Sequence, residues 1–183
     1  MDHILQITNK QEFVFLRRKT KRFEFETHTA KEIDELIQRM KRAMRAARGV
    51  GLSANQIGVD TQVFVAEVPG ANQELKFYAV FNPVIEKISE EKEVNEEGCL
   101  SIPKKYGDVP RATNLVLRGF DKRGKLIKIK AWGLLARVFQ HETDHLNGKL
   151  FIDRATQTYE VAASERLQKR EIRISKSETN PKN

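Results

Sequence analysis

His141-Glu142-Thr143-Asp144-His145 has the H-E-x-x-H spacing, and no other segment of this sequence concentrates as much reactive chemistry. Two imidazoles four residues apart on a helix lie about 40° apart around its axis, so both can reach one metal ion. They also continue an apolar line from Leu134 through Val138, at offsets of 4, 7 and 11 residues. That line places the pair on a buried stripe, where a cation's charge acts strongly. Glu142 falls beside the stripe, placed to exchange protons with a water on the metal. A catalytic metal usually takes three protein ligands and keeps one position open for water. Two residues compete for the third place. Cys99 sits in the short turn Glu97-Gly98-Cys99-Leu100-Ser101-Ile102-Pro103, and Glu165 follows His145 by twenty residues. The bland alternative is a surface helix that merely bears two histidines and two acids. Against it, two of only four histidines fall on the apolar stripe, whereas His3 and His28 read as surface residues.

The elements that must position these residues are partly readable. A helix is predicted over residues 29–47: Thr29 and Glu32 have capping-box spacing, and Ile33, Leu36, Ile37, Met40, Met44 and Ala47 follow one helical face. Gly49 closes it. Residues 62–68 and 77–81 are rich in β-branched and aromatic side chains and predict strands. Residues 114–120 and 125–130 flank Asp121-Lys122-Arg123-Gly124, a hairpin signal. The acidic stretch 89–97 reads as a solvated strand edge or loop. A second helix is predicted from Gly133 through Leu146, stopped by Asn147-Gly148. A charged, weakly amphipathic helical pattern covers 156–172, and 175–183 is a polar tail. Helix, then strands, then helix indicates an α+β fold.

Composition narrows the class. With 183 residues, 39% hydrophobic and 32% charged, the chain is expected to form one globular domain, residues 1–174, ahead of the tail. No apolar run is long enough to span a membrane, and the first twenty residues lack a secretory pattern. A single cysteine excludes an internal disulfide framework and fits a reducing, cytoplasmic compartment. A net charge of +8 favours approach to an anionic surface such as RNA.

Three separated motifs resemble those of the peptide deformylases: Gly49-Val50-Gly51-Leu52-Ser53-Ala54-Asn55-Gln56, Glu97-Gly98-Cys99-Leu100-Ser101, and Gln140 through Gly148 around the two histidines. The resemblance covers about residues 10–155. It implies mainly antiparallel strands packed around a central metal-binding helix, with an N-terminal and a C-terminal helix. It further implies removal of the formyl group from N-terminal formylmethionine of new polypeptides, releasing formate. Carried over, the ligands are Cys99, His141 and His145 around one divalent metal, Fe²⁺ favoured, with Zn²⁺, Ni²⁺ or Co²⁺ possible. Glu142 is the general base and acid, and the Gln56 amide with the Leu100 backbone N–H stabilises the oxyanion. Gly51 and Gly98 are placed at the substrate, and Leu134 and Val138 are candidate walls of an apolar methionine pocket. Glu97 and Arg111 are expected to form a structural ion pair.

Two positions depart from the family pattern. Ser53 stands where alanine is usual, and Lys104-Lys105-Tyr106-Gly107 lacks an arginine that some members use at the pocket rim. Two rival readings remain. A thermolysin-like protease would use His141, His145 and Glu165 but leaves Cys99 and Gln56 idle. An RNA-binding module would use the charge but lacks stacked aromatics. A weaker form of the second is compatible with deformylation: the basic segment 166–173 docks on ribosomal RNA.

Overall fold

The capping box at Thr29 forms. Its hydroxyl accepts from the Glu32 N–H at 3.2 Å, and the Glu32 carboxylate accepts from the Thr29 N–H at 2.7 Å. In the computed structural model, which describes residues 3–161 except 71 and 73, this box opens the helix Ala30–Ala46. Ile33, Ile37, Met40 and Met44 bury its apolar face. It is the second helix, α2. Before it lies α1, Lys10–Leu16, which the sequence reading missed. Asn9 caps α1 by accepting from the Gln11 and Glu12 N–H groups, but seven residues with only Leu16 buried show no readable period.

Among the described residues, eight strands follow in chain order: β1 Gly51–Ser53, β2 Val63–Pro69, β3 Leu75–Ile88, β4 Lys92–Cys99, β5 Ile102–Ala112, β6 Asn114–Phe120, β7 Leu126–Trp132 and β8 Gln157–Glu160. One sheet has the order β1-β2-β3-β6-β7 and the other β4-β5-β8, with every pairing antiparallel. The expected hairpin joins β6 to β7. Asp121 Oδ1 accepts from the Arg123 and Lys125 N–H groups, and Gly124 takes a φ of 73°. β3 runs well beyond the predicted 77–81. It bends at Asn82, whose φ is 49° and whose side chain brackets Phe23 with bonds of 2.7 and 2.9 Å to its N–H and C=O.

The third helix, α3, spans Gly133–Leu146 as predicted and touches strands of both sheets. Gln140 fastens it to β5. Its side-chain amide accepts from the Ala112 N–H at 3.1 Å and donates to the Ala112 C=O at 3.0 Å, as a neighbouring strand would. The acidic stretch is largely as expected: β4 is an edge strand, and Lys92 through Asn95 are exposed. Glu97 is the exception and is buried.

The predicted C-terminal helical pattern needs correction at its start. Residues 157–160 form β8 instead, pairing with Lys105 through Asp108 of β5. Thr158 and Tyr159 suit a strand, and β5 offers an unpaired edge that local periodicity does not reveal. The rest of that pattern, the basic segment 166–173, Glu165 and the tail 175–183 lie outside the described residues. No helix among the described residues is long and apolar enough to cross a membrane.

Candidate active site

The site is assembled from β1 with the 3-10 turn after it, the β4–β5 turn, and α3. The register shift between Gly98 and Cys99 turns the chain so that Cys99 faces α3. Gly98 is needed there, because a Cβ at this position would stand 2.6 Å from the Tyr106 ring paired across the strands. Tyr106 thus covers Gly98 from the paired strand. The N-terminal segment holds the assembly from behind: the Leu5 N–H donates to the Gln56 C=O at 2.8 Å and the Ile7 N–H to the Ser101 C=O at 3.0 Å.

Cys99, His141 and His145 converge, their ligand atoms all lying within 4.8 Å of one another. Cys99 Sγ is 3.1 Å from His145 Nε2, and the two imidazole centroids are 4.9 Å apart. One thiolate and two imidazoles suit a borderline divalent ion such as Fe²⁺ or Zn²⁺. His141 Nδ1 lies 3.0 Å from Glu97 Oε2, which leaves Nε2 as its ligating nitrogen. Burial is the first cause that lowers the His145 pKa well below its usual value, which favours the neutral ring a ligand requires. The residues present therefore fit a metal. His3 and His28 lie apart and exposed, His3 beside Glu12 and His28 stacked on Phe23.

Gln56 sits in the 3-10 turn Ala54–Ile57. Its Oε1 accepts from the Ser53 N–H at 2.9 Å, which turns Nε2 toward Ser101 Oγ at 3.1 Å and Cys99 Sγ at 3.5 Å. Glu142 is 3% exposed, and burial raises its pKa against the pull of His141 and Ser53. Leu100 is half-buried against the core beneath α2.

Behind the ligands runs a buried ion network. Arg111 bonds Glu97 through Nε at 2.9 Å and Nη2 at 3.0 Å, and also pairs with Asp144. The expected Glu97–Arg111 pair is therefore present, but it is larger than the sequence indicated. Arg137 donates to Glu97 at 2.8 Å and to the Val109 and Glu93 carbonyls, while Arg154 grips Asp144 at 2.6 and 2.7 Å. Burial opposes ionisation of Glu97, yet the bonds from His141 and Arg111 outweigh it and hold the carboxylate far below its usual range. Sequence reasoning missed Arg137 and Asp144. Their spacing of seven residues on α3 was the available signal, one side of the helix facing both.

The two candidate pocket walls separate. Leu134 is half exposed and lines a cavity of about 290 Å³, while Val138 is buried in the core with Phe139 and Leu146. The cavity is not the apolar one expected, since Asn95, Glu96, Thr113 and Arg137 also line it.

The sequence profile of the polypeptide deformylase family matches residues 1–160. The peptide deformylase of Desulforudis audaxviator is 43% identical over 128 residues, 70% of this chain and 80% of that protein. The crystal structure of peptide deformylase from Thermotoga maritima superposes with a TM-score of 0.75 at 35% identity, covering 86% of this chain and 99% of that one. A peptide deformylase from Synechococcus elongatus, solved in complex with actinonin, gives 0.73 at 35% identity over 84% and 78%. Fold, clustered ligands and relatives agree: this chain is a member of the polypeptide deformylase family.

Proposed function

We propose that the chain removes the formyl group from N-formylmethionyl nascent polypeptides, with Glu142 as the proton carrier. The observation that supports this best is the Cys99, His141 and His145 cluster with the Gln56 amide turned onto its sulfur. Held by those three residues, a divalent ion, Fe²⁺ by preference and Zn²⁺, Ni²⁺ or Co²⁺ as substitutes, supplies Lewis acidity and an acidified water. Glu142 accepts the proton of the attacking water and later returns it to the departing amine. Gln56 Nε2–H and the Leu100 N–H donate to the carbonyl oxygen as it gains charge. The Ser53 N–H keeps the Gln56 amide in that orientation through Oε1.

An extended peptide has a place to lie. β1 is an edge of its sheet, so the side away from β2 is open to strand addition, with the Gly51 amide as partner. Gly98 offers backbone without a side chain across from it, and Leu134 borders the first side chain, while Val138 belongs to the core behind it. The catalytic unit covers residues 1–174, with 175–183 as a tail, and works in the cytoplasm.

Formate release from a formyl-Met peptide by anaerobically prepared protein tests this reading. Turnover is expected in the parent, and Cys99→Ala is expected to lose both stoichiometric metal and turnover. Full metal retention in Cys99→Ala would overturn the ligand set and favour Glu165 as the third ligand. Ribosome contact through the basic segment 166–173 predicts salt-sensitive association. Because β8 pairs with β5, the informative truncation falls after Val161, and it should abolish that association. Undiminished association of the truncated protein would refute the contact.

A further inference from the structure

Ser53 is fully buried, and its hydroxyl is directed at Glu142. Oγ lies 2.7 Å from Glu142 Oε2 and 2.9 Å from the Glu142 main-chain oxygen. Alanine, usual in the family pattern, has nothing to offer either atom. Gly51, two residues earlier and so on the same face of β1, meets the other half of the carboxyl. A Cβ at Gly51 would collide with Glu142 Oε1. One strand therefore meets both oxygens of this side chain, with a hydroxyl at Oε2 and only a bare Cα beside Oε1.

We propose that Ser53 is a positioning residue for deformylation: it ties Oε2 of Glu142 and so reserves Oε1 for the proton that is taken up and returned. The proposal rests on the reading of Glu142 as the proton carrier. The terminal torsion of a glutamate is soft and nearly two-fold, so an untethered carboxyl samples several orientations in which neither oxygen is favoured. The hydroxyl has one proton and two acceptors in reach, and when it donates to Oε2, the shorter contact, it restricts that freedom. Ser53 also orients Gln56, but through its backbone N–H. The two tasks are therefore separable, because Ser53→Ala removes the bond to Glu142 and keeps the bond to Gln56.

The test is a double-mutant cycle on the metal-loaded enzyme, read as kcat, KM, metal content and thermal midpoint. Ser53→Ala is expected to lower kcat about fivefold to twentyfold with KM within about twofold and metal content unchanged. In a Glu142→Asp background, where the shortened carboxyl no longer reaches the hydroxyl, the same substitution should change kcat less than about twofold. A merely structural serine would instead give equal losses in both backgrounds. Equal losses, an undiminished kcat in Ser53→Ala, or a loss that follows metal content would each overturn the proposal. Glu142→Gln with parental turnover would overturn the reading of Glu142 itself, and that result is visible without any Ser53 variant.

Discussion

Glu142→Gln is expected to lower kcat by about 10²- to 10⁴-fold while KM and metal content stay close to parental values. The amide has the volume of the carboxylate and can still accept from Ser53 Oγ through its carbonyl oxygen, so packing on β1 is preserved. What it lacks is a site that binds and releases a proton. Because Glu142 is 3% exposed, no bulk water stands close enough to substitute freely for it. Steady-state kinetics beside metal analysis separate the outcomes. A large fall in kcat with metal retained supports the proton-carrying role. A fall only in proportion to metal loss would assign Glu142 to holding the site together.

Arg111→Ala is expected to cost about 3–5 kcal/mol of stability, the second large effect. The guanidinium is buried between Glu97 and Asp144, and its removal leaves two buried carboxylates each with one guanidinium fewer. In a chain of this size such a loss lowers Tm by roughly 6–20 °C. Lysine should not restore it, because a point ammonium cannot bridge two carboxylates as the planar fork does. The pH dependence follows from Glu97. Its pKa is depressed in the folded state, so its contribution is fully present above the ordinary carboxylate value of 4.5. It is lost progressively as pH falls from there toward the folded-state value, where the native carboxylate also takes up a proton. Thermal melts across the acid range should show this decline in the parent and a flatter one in Glu97→Gln. A Tm within about 2 °C of parental for Arg111→Ala would remove the network from the list of stabilising features.

The parts of the fold legible in the sequence are those whose causes are local. The Thr29 box, the stripe on α3 and the Asp121–Gly124 turn each depend on residues within a few positions of one another. α3 could be read together with its ligand pair, because a spacing of four expresses itself within one helical turn. The third ligand could not be read that way. Spacing left Cys99 and Glu165 open, and the choice of Cys99 rested on resemblance. In the structure it depends on a strand turn meeting a helix 42 and 46 residues further on. Glu97 shows the same limit. Five acids lie between residues 90 and 97, and nothing local marks the one that turns inward to meet Arg111, 14 residues away. Ser53 was visible only as a departure of small size, since its partner is 89 residues distant. α1 was too short to show a period, and β8 is a strand because β5 has a free edge.

The fastening of the N-terminal segment has a consequence for the birth of the molecule. Leu5 and Ile7 hold the backbones of Gln56 and Ser101, and Thr20 Oγ1 bonds the Leu146 carbonyl across 126 residues. The reactive centre thus closes only after His145 has left the ribosomal tunnel, and it closes through contacts of long sequence separation, which form slowly. Until His145 emerges, the growing chain carries Cys99 and Gln56 without the partner that completes their site.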